Sequence, residues 1–303
     1  MRKLLSACLI MAILFTAIIQ VPTSVLASTG NGDEGINEKF GLPIVVYGES
    51  LSEEQKQEVR NLLDIDDPST VNEIIVTAED LVKFIDGDPN SNMYSSAKIT
   101  RKEEGNGLVI NIVNQENITQ VTNEMYANAL LTAGIENAVV EVASPLKVSG
   151  HSALTGIYKA YNVDGESLDK DRMEVANEEL SVATQLAEQS GVDQEKVSEL
   201  LTEIKQAIAD QNPASKEEIE QIVKDQLATL NIDLNDEDIA RLVALFDKMR
   251  SININFDNVK SQLDDIAGDI RSKLEEVAND EGFWQGVKDF FQNIIDGLKS
   301  LFG

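Results

Sequence analysis

Apolar residues change their spacing about halfway along this chain. Up to about residue 165 they come in short runs and alternations separated by turn formers; beyond it they follow helical spacing alone. In the first part, LPIVVY at Leu42–Tyr47 and NEIIVT at Asn72–Thr77 read as strands. Between them, Ser52 and Gln55 stand three residues apart, the spacing of a capping box, and open a helix that carries Val59, Leu62 and Leu63 inward. Glu79–Ile85 predicts a short helix. Lys98–Lys102 and Leu108–Val113 flank Gly105-Asn106-Gly107, and the alternation of Leu108, Ile110 and Ile112 predicts a β-hairpin.

Asn117–Tyr161 is the least charged long stretch outside the N-terminal apolar segment. Val121, Met125, Tyr126, Ala129, Leu130 and Ala133 share one helical face, with Thr119 or Thr122 as the hydroxyl cap. Gly134 followed by Ile135 predicts a left-handed helix stop with its hydrophobic contact. Ala138–Ala143, rich in valine and closed by Pro145, predicts a largely buried strand. Ala153, Leu154, Ile157, Tyr158 and Tyr161 make a second helical face. Five strands and three or four helices in one segment predict an α+β layered domain over residues 41–165.

The composition shifts at Asn162–Asp171, which marks an expected domain boundary. Over 166–280, stripes built on Met173, Ala176 and Leu180, on Leu200, Leu201 and Ile204, on Ile219, Ile222 and Val223, and on Leu242, Val243 and Phe246 predict an all-α antiparallel bundle, with glutamates and lysines on the solvated faces. Ser215 with Glu218, and Asn235, supply expected N-caps. A longer helix carries Phe256, Val259, Leu263, Ile266, Ile270, Leu274 and Val277 at near-heptad spacing. The last expected element is an amphipathic helix in 281–303. Its wide stripe consists of Phe283, Trp284, Val287, Phe290 and Phe291, continued by Ile294, Ile295, Leu298 and Leu301. Each such side chain gains roughly 1.5–3 kcal/mol on burial. The stripe is therefore a partner- or membrane-binding candidate unless its own bundle covers it, and self-association is a further option.

At the N-terminus, Arg2 and Lys3 precede the apolar run Leu4–Ile19, and small residues end at Ala27, the layout of a secretory signal peptide over residues 1–27. An uncleaved membrane anchor is the rival reading. Residues 28–40 form an expected flexible linker. The chain has 303 residues, 53 acidic and 25 basic, for a net charge of −28. Removing the leader takes away Arg2 and Lys3 and no acid. Such a charge argues against nucleic acid as a partner. The one cysteine, Cys8, lies in the leader, so the exported chain would have no disulfide, cysteine nucleophile or thiolate metal site. One histidine excludes a multi-histidine zinc site within a single chain. No cofactor is expected.

Two loops invite chemistry. Ser149–Thr155 (SGHSALT) holds the only histidine, His151, but nothing local supplies an orienting carboxylate, and small residues before a helix suit an N-cap. Asp86–Asn92 alternates oxygen side chains as in the first half of a calcium loop, yet Ser91 stands where glycine belongs and Ala97 where the bidentate glutamate belongs, so a polar turn is the expectation.

Asn117–Ile135 (NITQVTNEMYANALLTAGI) and Ala138–Tyr161 (AVVEVASPLKVSGHSALTGIYKAY) resemble the YpuA-like family of Gram-positive secreted proteins, a domain-of-unknown-function family. The resemblance runs from about Leu42 to the C-terminus. It implies export, an envelope or extracellular setting, and no assigned activity; the family pattern does not call for histidine at 151. The expected function is an exported, envelope-associated or extracellular binding or structural protein without catalytic activity, its partner an envelope protein or wall component. Two alternatives are a carboxylate-dependent hydrolase of wall glycan and a protein that associates with membrane through its C-terminal helix.

Overall fold

The computed structural model describes residues 39–252 and 254–279, with side chains as far as Lys273. The expected leader, most of the linker and the stripe from Phe283 to Leu301 lie outside the described residues.

The fold is built on a five-stranded mixed sheet. Its strands are β1 (Ile44–Gly48), β2 (Asn72–Val76), β3 (Ser96–Arg101), β4 (Leu108–Ile112) and β5 (Ala138–Ala143), in spatial order β2-β1-β3-β5-β4. β1 pairs with β2, and β4 with β5, in parallel; β1–β3 and β3–β5 are antiparallel. The expected hairpin is therefore overturned. β5 lies between β3 and β4, and Ala138 is in register with Arg101 on one side and Leu108 on the other. The reason is burial. Ala138, Val140, Val142 and Ala143 are all sealed from solvent, and a strand apolar on both faces belongs inside a sheet, not on its edge. The glycine turn still forms, with Gly105 and Gly107 in left-handed conformation, but it bridges a gap one strand wide. β4 becomes the edge. Its outward N–H groups at Leu108 and Ile112 donate to Gln262 Oε1 and Asn123 Oδ1, each at 2.9 Å, so side chains blunt an edge that would otherwise pair with another strand.

β1 shows how the sheet divides its faces. Ile44 and Val46 join the main core; Val45 and Tyr47 face a small cluster with Val59 and Leu63. Both leucine and valine come from α1 and its exit, where α1 spans Glu53–Leu62 and Ser52 and Gln55 form the expected capping box. α2 (Ala78–Ile85) follows β2. The main face is covered by α3 (Asn123–Ala133) and α4 (Ser152–Val163), α4 packing on β1, β2 and β3 and α3 on β4. Thr122, not Thr119, caps α3, accepting from the Met125 N–H at 3.2 Å. The stop at Gly134 (φ 90°) forms as expected: the Ile135 N–H donates to Leu130 O at 2.9 Å and the Gly134 N–H to Leu131 O at 3.1 Å.

The rest of the described chain is helical: α5 (Lys170–Gln189), α6 (Gln194–Gln211), α7 (Lys216–Thr229), α8 (Asp236–Ser251) and α9 (Lys260–Asn279). α5 to α8 close a ring of neighbours, and α9 lies against α6 and α3. Ser215 and Asn235 cap α7 and α8, and the Glu218 carboxylate reaches back to the Ala214 N–H at 2.7 Å. The expected boundary at 165/166 falls in the turn between α4 and α5, and one apolar cluster runs from the strands across it into α5–α8. Every residue of α3 from Glu124 to Ala133 is buried, enclosed by the sheet on one side and by α5 and α6 on the other.

The expectation that acids and lysines line only solvated faces needs correction. Glu179 and Lys205 are 1 % and 0 % exposed, and Glu124, Glu199 and Asp238 are also buried. Their positions carried the signal. Glu179 lies between Ala176 and Ala183, and Lys205 between Leu201 and Ile208, at the spacing that points inward.

Candidate functional site

His151 opens α4 and sits in a cleft of about 420 Å³, within the roughly 300–1,000 Å³ of small-molecule sites. Two segments far apart in sequence make its walls. One is the extended run Ser91–Ser95 leading into β3. The other is the loop Val148–Ser152 leading into α4, with Leu81 of α2 and Asn177 of α5 completing the lining.

Each wall is held by backbone bonds. On the first, the Ser50 N–H donates to Met93 O at 3.0 Å, and the Met93 N–H donates to Ser50 Oγ at 3.0 Å. Gly48 permits this approach, because a Cβ there would stand 2.1 Å from Met93 O. On the second, Val148 exchanges bonds with the 117–119 segment: its N–H donates to Asn117 O at 2.8 Å and its carbonyl accepts from Thr119 N–H at 2.9 Å. Gly150, at φ 106°, presents its carbonyl to the buried Tyr126 hydroxyl at 2.6 Å. The two walls are tied where the Ser95 N–H donates to Ser152 Oγ at 3.2 Å.

The hydrogen-bond partner the structure gives His151 is the Thr184 hydroxyl, 3.3 Å from Nε2. That hydroxyl also lies 3.1 Å from Leu180 O and Ser181 O and donates its single proton to the α5 backbone. Thr184 Oγ1 therefore accepts from Nε2–H, which leaves Nδ1 of the neutral ring as an acceptor. Burial holds the imidazole below its ordinary pKa of 6.5, against an opposing pull from the Glu188 charge. None of the lining residues is Asp, Glu, Lys or Arg. Ser95 lines the cleft at 1 % exposure, and its Oγ is sealed from solvent without a hydrogen-bond partner among the described residues, an unusual state for a buried hydroxyl.

The depressed pKa has a testable consequence. The unfolded chain binds a proton at His151 near pH 6.5, the folded chain only at lower pH. The contribution of the neutral ring is complete above pH 6.5 and is lost as pH falls through the folded value. His151→Gln should flatten that part of the acid-side decline, seen as a smaller difference between urea midpoints at pH 7.5 and pH 5.5 than in the parent protein.

The calcium-like loop is occupied by its own bonds. Asp86, left-handed at the end of α2, pairs with Lys170 at 3.0 Å, and Asp88 accepts from the Asn90 N–H at 2.9 Å. Among the described residues, no group of three or more His, Cys, Asp or Glu side chains could hold a metal ion, and no helix is long and apolar enough to cross a membrane.

The buried charges lie elsewhere, where α3, α5 and α6 meet. Lys205 Nζ is 2.5 Å from Glu179 Oε1 and donates to Asn128 O at 2.8 Å and Asn128 Oδ1 at 3.2 Å. Glu179 Oε2 accepts from Thr132 Oγ1 at 2.6 Å, and Thr202 Oγ1 accepts from the Asn128 amide at 2.9 Å. The ammonium donates to two Asn128 oxygens and stands in ionic contact with Glu179 Oε1, which lies outside hydrogen-bond geometry, so the cluster is an internal tie held by charge as much as by hydrogen bonds. Sequence spacing placed His151 in a loop and N-cap before a helix and could not show that Ser91–Ser95 comes to face it.

Fold and site together describe an α+β protein with a neutral, hydroxyl-lined cleft beside a helical ring. The model of the family described as "Protein of unknown function (DUF1002)" matches residues 47–266, and the chain belongs to that family. It is 36 % identical over 309 residues to "Uncharacterized protein YpuA" of Bacillus subtilis (strain 168), an alignment that covers the whole of both chains. No solved structure matches.

Proposed function

We propose that this is an exported protein of the cell envelope or its surroundings that binds a small molecule in the His151 cleft and performs no chemistry on it. The observation that carries the reading is the cleft itself: among the described residues it is lined by serines, asparagines and one histidine with apolar neighbours, and by no carboxylate. Glycan hydrolysis in most enzyme families uses two carboxyl groups across the scissile bond. Serine nucleophiles need a histidine oriented by a third group, and here Thr184 takes that place. The apolar run Leu4–Ile19 after Arg2 and Lys3 supports export.

The single histidine gives the test. Its imidazole proton resonances report on the cleft without assignment of other residues. A fragment panel of anionic, cationic, uncharged polar and apolar compounds should contain members that move these signals saturably. If none moves them, the cleft is not a binding site. Export is checked by N-terminal sequencing of protein from the culture medium. A first residue of Ser28 is expected; a start at Met1 or a lipidated Cys8 overturns it.

A further inference from the structure

We infer that the ligand of the cleft is uncharged and rich in hydroxyl or amide groups, of the size and chemistry of a neutral sugar ring. This rests on the binding reading above and goes beyond it to the ligand class. The protein carries a net charge of −28, so its surroundings repel anions and attract cations. A cation site would put carboxylates at the cleft and an anion site would put lysine or arginine there; the lining has neither. His151 does not supply a charge, since burial keeps it neutral at pH 7. What remains is complementary hydrogen bonding: His151, Ser149, Ser152, Asn92 and Asn177 line the cleft, residue types that between them donate and accept without carrying charge. Leu81, Tyr94 and Val148 add apolar surface beside them, which suits the C–H face of a ring whose edge is polar.

Ser95 makes the case specific. Its Oγ is buried and unpartnered in the ligand-free protein, a state that costs stability until a partner arrives. A serine hydroxyl reorients by one staggered χ1 step, so a ligand group entering the cleft can take it up. A serine kept only for packing would gain nothing from a partner in the cleft.

The experiment titrates the full exported chain with three sugars of nearly equal size, N-acetylglucosamine (uncharged), glucuronate (anionic) and glucosamine (cationic), and follows the His151 resonances. N-acetylglucosamine is expected to shift them saturably and the other two to bind at least about tenfold more weakly. Ser95→Ala is expected to weaken N-acetylglucosamine at least about fivefold while leaving the thermal midpoint unchanged or raised, an outcome that a merely structural serine would not give. Tighter binding of either charged sugar overturns the ligand class and leaves the binding reading standing. Fragments that bind while all three sugars fail do the same. If neither sugars nor fragments bind, both fall.

Discussion

Glu179→Leu should remove a large part of the stability of this protein. The substitution leaves the Lys205 ammonium at 0 % exposure with its carboxylate gone and only Asn128 and a distant ring face, that of Phe256 at 5.7 Å, to receive it. Breaking a buried pair from one side costs about 3–5 kcal/mol, against a total margin of roughly 5–15 kcal/mol for a folded domain. The double variant Glu179→Leu/Lys205→Met should recover part of the loss, because two apolar side chains of similar volume need no counter-charge, while Asn128 and Thr132 lose their partners. Urea midpoints of the parent, both single variants and the double variant make the cycle. A double variant as unstable as Glu179→Leu would show that the site needs its charges. Tyr158→Phe is the internal control: the Tyr158 hydroxyl is buried without a partner among the described residues, and burial, with the charge of Glu179 adding to it, pushes its pKa well up. Removing that hydroxyl should leave stability unchanged or slightly raised.

Gly48→Ala should be the second severe change, and its damage should reach the cleft. The added Cβ would stand 2.1 Å from Met93 O, 2.5 Å from Met93 C and 2.8 Å from Tyr94 N, all backbone atoms that cannot rotate away. The segment Ser91–Ser95 would have to leave β1 and surrender the bonds that Met93 makes to Ser50. Overpacking costs typically about 1–3 kcal/mol, and a backbone obstacle puts this case at the upper end or beyond. Ligand binding should fall with it, because Met93, Tyr94 and Ser95 are one wall of the site. Gly268→Ala is the contrast. It lies inside α9 with nothing among the described residues within 4 Å of the new methyl, so helix propensity alone should raise stability by about 0.5–1 kcal/mol. Thermal midpoints separate the two, and a tolerated Gly48→Ala would show that the 91–95 wall yields easily.

Local rules explain what the sequence made legible. The box at Ser52, the cap at Asn235 and the stop at Gly134 are set by neighbours within four residues, and each forms. Helical stripes such as Met173–Ala176–Leu180 are equally local, and those residues are buried. Three features depend on partners distant in sequence and escaped. Gly105-Asn106-Gly107 is a sound turn signal, yet it cannot say whether another strand will occupy the space between its arms. Lys205 looks like a surface lysine until Glu179, 26 positions earlier, meets it across a helix interface. The cleft exists because residues 91–95 arrive opposite 148–152, and neither segment carries a pattern that announces the other.

The strand inserted between β3 and β4 also bears on how the chain reaches its folded form. As the polypeptide lengthens, β3 and β4 are complete some 26 residues before β5 begins, and the glycine-rich link between them favours their direct union. That union is a wrong one, to be undone before β5 can enter. Sheets assembled from distant pairings form slowly in any case, and here a competing local product adds to the delay. Stopped-flow refolding should therefore show a slow phase in addition to the main one.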